Sequence, residues 1–204
     1  MESLARPGGN VTGTAVQVAE LFTKTFQFVR ELAPTRTRLA WLAGPVAPGS
    51  EQANQAMRGE ISAAAQASGM TIQWVEVRTI DDLGGALERI AASRTELLYV
   101  GAVTAIYPRL NEITDFAIRN KILSAGTFAS FISANGAVYY GPNVQDLTDR
   151  SMSFVDRILR GAKPGDLPVE LPTKYEMILN LKALRAIGIS VPNHVLLQAT
   201  KVIE

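Results

Sequence analysis

Short apolar runs closed by glycine alternate along this chain with longer segments whose apolar residues recur at helical spacing. That alternation constrains the fold more than any other feature. The runs are residues 38–43, closed by Gly44-Pro45, then 70–77, 97–100 closed by Gly101, 122–126 and 137–141; their length and apolar content read as strands, most of them buried. Between them lie helical stripes. Val18, Leu21, Phe22, Phe26 and Val29 mark residues 17–32, and Ala53, Met57, Ile61 and Ala64 mark a helix closed by Gly69. Leu83, Leu87 and Ile90 follow Asp81 as the expected cap. Ile106, Leu110, Ile113 and Ala117 form the next stripe, with Pro108 in its first turn. Leu147, Val155, Ile158 and Leu159 stripe a helix that stops at Gly161, residues 169–179 are extended, and Asn180 caps a last helix ending at Gly188. Strands alternating with helices at this spacing form right-handed βαβ units, so the expected fold is α/β with a parallel, doubly wound sheet.

The 204 residues, 47% apolar and 19% charged, suffice to bury about 70% of the unfolded chain's surface. Net charge is +1 and no basic run appears, so neither nucleic acid nor an anionic membrane is expected as a partner. The absence of cysteine excludes thiol catalysis, disulfides and thiolate zinc sites.

Ligands of doubly wound sheets sit beyond the carboxyl ends of the strands, where the strand order reverses. With the order 2-1-3-4, the tips facing that crevice are residues 43–46, 101–106 and 126–131. They offer Gly44, Gly101, Ala102, Thr104, Thr127, Ser130 and Phe128, and not one charge. Such a surface suits an apolar or aromatic body and provides no ion pair for a carboxylate or an amine. Arg78, which follows the second strand, lies off the switch point. No catalytic constellation is read: G-x-S-x-G and H-E-x-x-H are missing, and the single histidine, His194, is expected at the surface. Asp81-Asp82 read as helix caps, and Lys201 to Glu204 as a solvated tail. No cofactor or metal is expected.

The opening stretch, Ser3-Leu4-Ala5-Arg6-Pro7-Gly8-Gly9-Asn10-Val11-Thr12-Gly13, must turn at Pro7 to Gly9, and Thr12 or Thr14 is the expected cap of the first helix. Its glycine spacing fits neither GxGxxG nor GxxxxGK[ST], so phosphate binding there is discounted. Together with Tyr140-Gly141-Pro142-Asn143, Gly161-Ala162-Lys163-Pro164-Gly165-Asp166 and Pro172-Thr173-Lys174-Tyr175-Glu176, this stretch resembles the ABC-transporter substrate-binding proteins of the tryptophan/tyrosine type.

The resemblance implies one lobe of a periplasmic-binding-protein type I fold plus a crossover helix. Residues 1–13 would then be the first crossover or hinge, 14–141 the α/β lobe, 142–168 a crossover helix belonging to a lobe mostly outside this chain, and 169–204 a return segment completing the α/β lobe. It implies a small amphipathic solute such as an amino acid, an ABC permease as partner, and a periplasmic or extracytoplasmic setting. Any leader or lipid anchor would lie outside this sequence. Asn10, Tyr140 and Asn143 join the cleft candidates, with side-chain hydrogen bonds of Asn10 and Asn143 setting the hinge. The apolar face Phe154, Val155, Ile158 and Leu159 is expected to be uncovered and to support self-association. The tips depart from the family pattern: Gly44 and Ala47 stand where asparagines are usual, Ala102 for an aspartate, and Gly126, Ala129 and Ser130 for tyrosine, arginine and glutamate. A ligand-sensing regulatory lobe of the same fold and a small α/β enzyme are the alternative functions.

Overall fold

The structure, a computed structural model, describes residues 3–204. The chain forms two compact units, one of residues 1–17 with 142–176 and one of residues 18–141 with 177–204.

Most of the seven-stranded sheet belongs to the larger unit; its strand order is β2-β1-β3-β4-β5-β6-β7. The strands are β1 (Arg38–Ala43), β2 (Thr71–Glu76), β3 (Leu97–Val100), β4 (Leu123–Gly126), β5 (Val138–Pro142), β6 (Tyr175–Asn180) and β7 (Lys201–Ile203). From β2 to β5 the neighbours are parallel, with Trp41 opposite both Trp74 and Tyr99. The expected all-parallel sheet needs one correction. Asn180, which ends β6, donates its N–H to the carbonyl of Ala137, just before β5, at 2.9 Å. β6 therefore runs antiparallel to β5, because the chain re-enters the sheet at the end where β5 left it. β7 is parallel to β6.

Helices cover both faces, and the strands alternate to match. Trp41, Ala43 and Tyr99 point to one face, where Phe22, Phe26, Val29 and Leu32 of α1 (Val18–Leu32) and Ile61, Ala64 and Ala65 of α2 (Glu51–Ala67) are buried in the same cluster. Ala40, Leu42, Leu98 and Val100 point to the other, with Leu83, Leu87 and Ile90 of α3 (Asp82–Ala92) and Ile113 and Phe116 of α4 (Leu110–Arg119). Trp41 and Tyr99 stack at 4.1 Å, and Phe22 meets both edge-on. Such pairs add about 1 kcal/mol each beyond area burial.

Several local expectations are corrected. Asp81 makes no capping bond; Asp82 Oδ2 instead accepts the N–H groups of Arg78 at 3.0 Å and Thr79 at 2.9 Å. Pro108 lies within a 3₁₀ turn, Thr104–Arg109, and α4 begins only at Leu110, since proline lacks an N–H and disfavours helical backbone before it. The chain continues through α5 (Ser130–Ser133), and Asn180 caps α7 (Leu181–Ala186), its Oδ1 accepting from Ala183 N–H at 3.1 Å. A further helix, α8 (Asn193–Leu196), follows, and the expected solvated tail is the edge strand β7. Its side chains stay half-buried or exposed while its backbone joins the ladder, so a hydropathy pattern does not reveal it.

The smaller unit is organised by polar contacts. Residues 4–15 run beside residues 163–170: Val169 N–H donates to Leu4 O at 2.7 Å, Gly8 N–H to Gly165 O at 3.2 Å, and Glu170 N–H to Gly13 O at 3.0 Å. Thr12 caps no helix, because its hydroxyl donates to Leu167 O at 2.8 Å; Thr14 forms a bridge with Glu170. The long helix of this unit, α6 (Val144–Leu159), buries Phe154. The expected uncovered face is thus corrected. Phe154 lies about 100° around the helix from Val155 and is 3% exposed, whereas Val144, Met152, Val155 and Leu159 form the exposed stripe and Ile158 is half-buried. Among the described residues no helix is long and apolar enough to cross a membrane.

Candidate functional site

Because β1, β3 and β4 are parallel neighbours, the loops leaving their carboxyl ends lie side by side in the larger unit. A Cβ added at Gly44, after β1, would stand 3.7 Å from the Val103 side chain and 3.8 Å from the Ala102 carbonyl. The first and third tips therefore touch without strain. Gly101 is different: a Cβ there would fall 2.6 Å from Leu42 O and 2.7 Å from the Trp41 indole nitrogen. Its missing side chain makes room for Trp41. Ala102 and Thr104 are exposed beyond it, Thr104 opening the 3₁₀ turn.

After β4, Thr127 is turned inward. Its N–H donates to Val100 O at 3.0 Å and its hydroxyl to the same carbonyl at 3.1 Å. Nearby, burial pushes the Tyr99 phenol well above the usual tyrosine range. Phe128 is 40% exposed, and its ring centroid is 5.8 Å from that of Tyr107 in the 3₁₀ turn. Tyr107, whose phenol burial also pushes up, is the tip residue that sequence reading missed. A helical stripe through Ile106 and Leu110 left it unassigned, and only the strand order brings the two loops together.

The remaining candidates are placed as follows. Tyr140 packs its ring against Phe28 at 5.0 Å and joins the core on the α1 side. Asn10 is exposed in the smaller unit. Asn143, also in that unit, caps α6: its Oδ1 accepts from Asp146 N–H at 2.7 Å and its Nδ2 donates to Glu176 at 2.6 Å. Around it Asp146 is paired with Lys174 at 2.7 Å and Arg150 at 2.8 Å, and those two cations hold its carboxyl below the usual range. Arg150 reaches on to Glu170 at 3.0 Å and Thr173 at 2.6 Å. This network ties the start of α6 to the segment leading into β6.

The exposed carboxyl-end tips thus present small groups, a hydroxyl and an aromatic pair, with no charge. Beside them, at the end of edge strand β2, Arg78 is spent on Glu76 at 2.9 Å and Asp82 on backbone N–H groups. His194 is an exposed α8 residue 3.4 Å from Glu31. Among the described residues no group of three or more His, Asp or Glu side chains is gathered to hold a metal. The arrangement suits capture of a small apolar or aromatic body by contact.

The family model described as "ABC transporter substrate binding protein" matches residues 1–203. A curated tyrosine-binding protein of Clostridioides difficile is 22% identical over 187 residues, which are 92% of this chain and 52% of that protein. The chain therefore spans about half the length of that relative. Among solved structures, an ABC domain from Streptococcus pneumonia in complex with L-Trp superposes with a TM-score of 0.85 at 22% identity, over 100% of this chain and 68% of the other. A conserved domain protein from Vibrio cholerae gives 0.85 at 21% identity, over 99% and 66%.

Proposed function

The chain belongs to the ABC transporter substrate-binding protein family, and from that premise we propose that its larger unit is a solute-binding lobe of an importer, taking an amino acid with an aromatic or apolar side chain. The observation that carries this reading is the uncharged tip surface, where Phe128 and Tyr107 stand together beside Ala102 and Thr104. The rings supply a stacking surface for the side chain, and backbone groups and hydroxyls its polar contacts. The names of the relatives, a tyrosine-binding protein and a domain holding L-Trp, are consistent with that solute class. The setting is extracytoplasmic and the partner an ABC permease, both as the family implies. Residues 1–13 and 142–168 act as crossovers in this reading.

Burying one ring contributes at most about 3 kcal/mol, and a millimolar dissociation constant needs about 4 kcal/mol. The expected affinity of this 204-residue chain is therefore weaker than about millimolar. Calorimetric titration with L-Trp and L-Tyr against L-Glu and L-Lys tests it. Saturable binding of the aromatic pair alone, weakened about tenfold by Phe128→Ala, is the expected result; no binding to either, or binding indifferent to Phe128, ends the proposal. Self-association through Val155 and Leu159, extended by Val144 and Met152 and without the buried Phe154, is read from the exposed stripe. A monomer in sedimentation velocity at high micromolar concentration would rule it out.

A further inference from the structure

The opposite end of the same strands carries a second, differently made surface. At the amino ends of β1, β3 and β4 a cavity of about 390 Å³ is lined by Arg36, Arg38, Arg94, Glu96 and Lys121, among others. Four cations against one carboxylate leave a local excess of three positive charges, in a chain whose total is +1. α3 and α4 end here, and their partial negative charges, about half a unit each, still leave about two. No basic run in the sequence marks this cluster: the sequence scatters these residues, and the sheet gathers them.

Two of the cations are fixed parts of the floor. Arg36 donates from Nη1 to the carbonyls of Lys121 at 2.8 Å and Glu96 at 3.3 Å, and from Nη2 to that of Ile187 at 3.4 Å. Arg38 donates from Nε to the Arg94 carbonyl at 2.7 Å and pairs with Glu96 at 2.9 Å. Glu96 is held in turn by the N–H groups of Thr37 and Arg38, at 2.9 and 3.1 Å. The other two, Arg94 and Lys121, are exposed, and their side chains have no hydrogen-bond or ion-pair partner among the described residues. Both sit in left-handed backbone, at φ 52° and 53°. The corresponding turns after other helices use Gly69, Asn135 and Gly188, the residue types that tolerate this conformation. Only the two loops flanking the cavity place a cation where glycine would be less strained.

The geometry points to a site for a phosphate-class oxyanion, a phosphomonoester or a phosphodiester, with Arg94 and Lys121 closing on it from neighbouring loops. The carbonyl bonds from Arg38 and Arg36 hold those loops in place. The ligand is either a soluble phosphorylated compound or the headgroup of an anionic lipid, and the test separates the two. The chain is titrated with pyrophosphate at low salt by calorimetry, and sedimented with vesicles of phosphatidylglycerol in phosphatidylcholine or of phosphatidylcholine alone. Saturable pyrophosphate binding without vesicle binding identifies a soluble ligand; phosphatidylglycerol-dependent sedimentation identifies a headgroup. Either binding should fall at least about tenfold in Arg94→Gly/Lys121→Gly, which suits the left-handed backbone, and should weaken as salt is raised. Arg94→Asn/Lys121→Asn serves if the glycine pair folds poorly. Phe128→Ala should leave it unchanged, which keeps this test apart from that of the solute site. Absence of binding in both arms, or binding that the double variants do not alter, overturns the site.

Discussion

The two ends of one sheet are built from the same three strands and carry opposite surfaces. Where β1, β3 and β4 finish, the loops are uncharged, and the aromatic pair Tyr107 and Phe128 meets at the rim. Where they begin, four cations surround one carboxylate. Both surfaces exist because the strands are neighbours, so the difference lies in what each loop contributes. At the carboxyl end, backbone and small residues fit closely against the core. At the amino end, guanidinium groups grip loop carbonyls and leave two cations free. The carboxyl end is thus fixed by sterics and the amino end by charge, and each can be perturbed without the other.

The largest expected effect breaks the steric end. Gly101→Val places a Cβ within 2.6 Å of the Leu42 carbonyl and 2.7 Å of the Trp41 indole nitrogen. The backbone or the Trp41–Tyr99 stack must then shift, at a cost of about 3 kcal/mol. Urea unfolding measures it, with Gly44→Ala, whose contacts are ordinary, expected within about 0.5 kcal/mol of the parent. Equal losses at the two glycines would contradict the steric account.

The next effect belongs to the charged end and depends on pH. Burial opposes ionisation of Glu96, but the N–H groups of Thr37 and Arg38 and the charges of Arg38 and Arg36 outweigh it and keep its carboxyl below the usual range. A lowered carboxylate pKa stabilises the fold above the unfolded value, about 4.3, and that contribution disappears as pH falls through the folded value. Glu96→Gln should therefore cost about 1 kcal/mol at neutral pH, modest because Arg38 is half exposed. The gap between the two proteins should close below about pH 4. A gap that persists into acid would mean that Glu96 acts through packing alone.

How much of this was legible in the sequence follows the same division. Strand runs 38–43 and 97–100 are apolar and glycine-terminated, and they coincide with β1 and β3. Gly69, Gly161 and Gly188, read as helix stops, all have positive φ, the helix–strand alternation gives parallel βαβ units, and the order 2-1-3-4 taken as a premise is the one observed. These features are local, or follow from a handedness rule. The basic cavity is not local: Arg36 meets the Lys121 carbonyl across 85 positions and Arg38 meets that of Arg94 across 56. Neither α8 nor β7 shows a periodicity, being four and three residues long. Tyr107 was hidden by the 3₁₀ turn, which shifts its phase from the helix expected there. Tyr140 could be listed as a ring near the tips, but only the structure shows Phe28 against it.

A smaller effect of opposite sign sharpens the charged end. Replacing Arg94 and Lys121 by glycine removes left-handed strain worth about 1 kcal/mol per residue, offset in part by the extra freedom glycine gives the unfolded chain. The double variant should melt at or slightly above the parent temperature while losing its anion. Stability and binding moving in opposite directions is what a site kept against local preference requires. Loss of both together would make the two cations structural.

The smallest stability effect is expected at the uncharged rim. Phe128 is 40% exposed, and its ring meets Tyr107, itself half-buried. Phe128→Ala leaves no buried cavity, so its stability cost should stay within about 0.5 kcal/mol, against several kcal/mol for a core phenylalanine. If the ring serves a solute, the same substitution should weaken aromatic amino acid binding about tenfold, equivalent to about 1.4 kcal/mol. Unfolding and titration of one variant set the two numbers side by side: a binding loss larger than the stability loss assigns the ring to the solute, and a stability loss above about 2 kcal/mol returns it to the core.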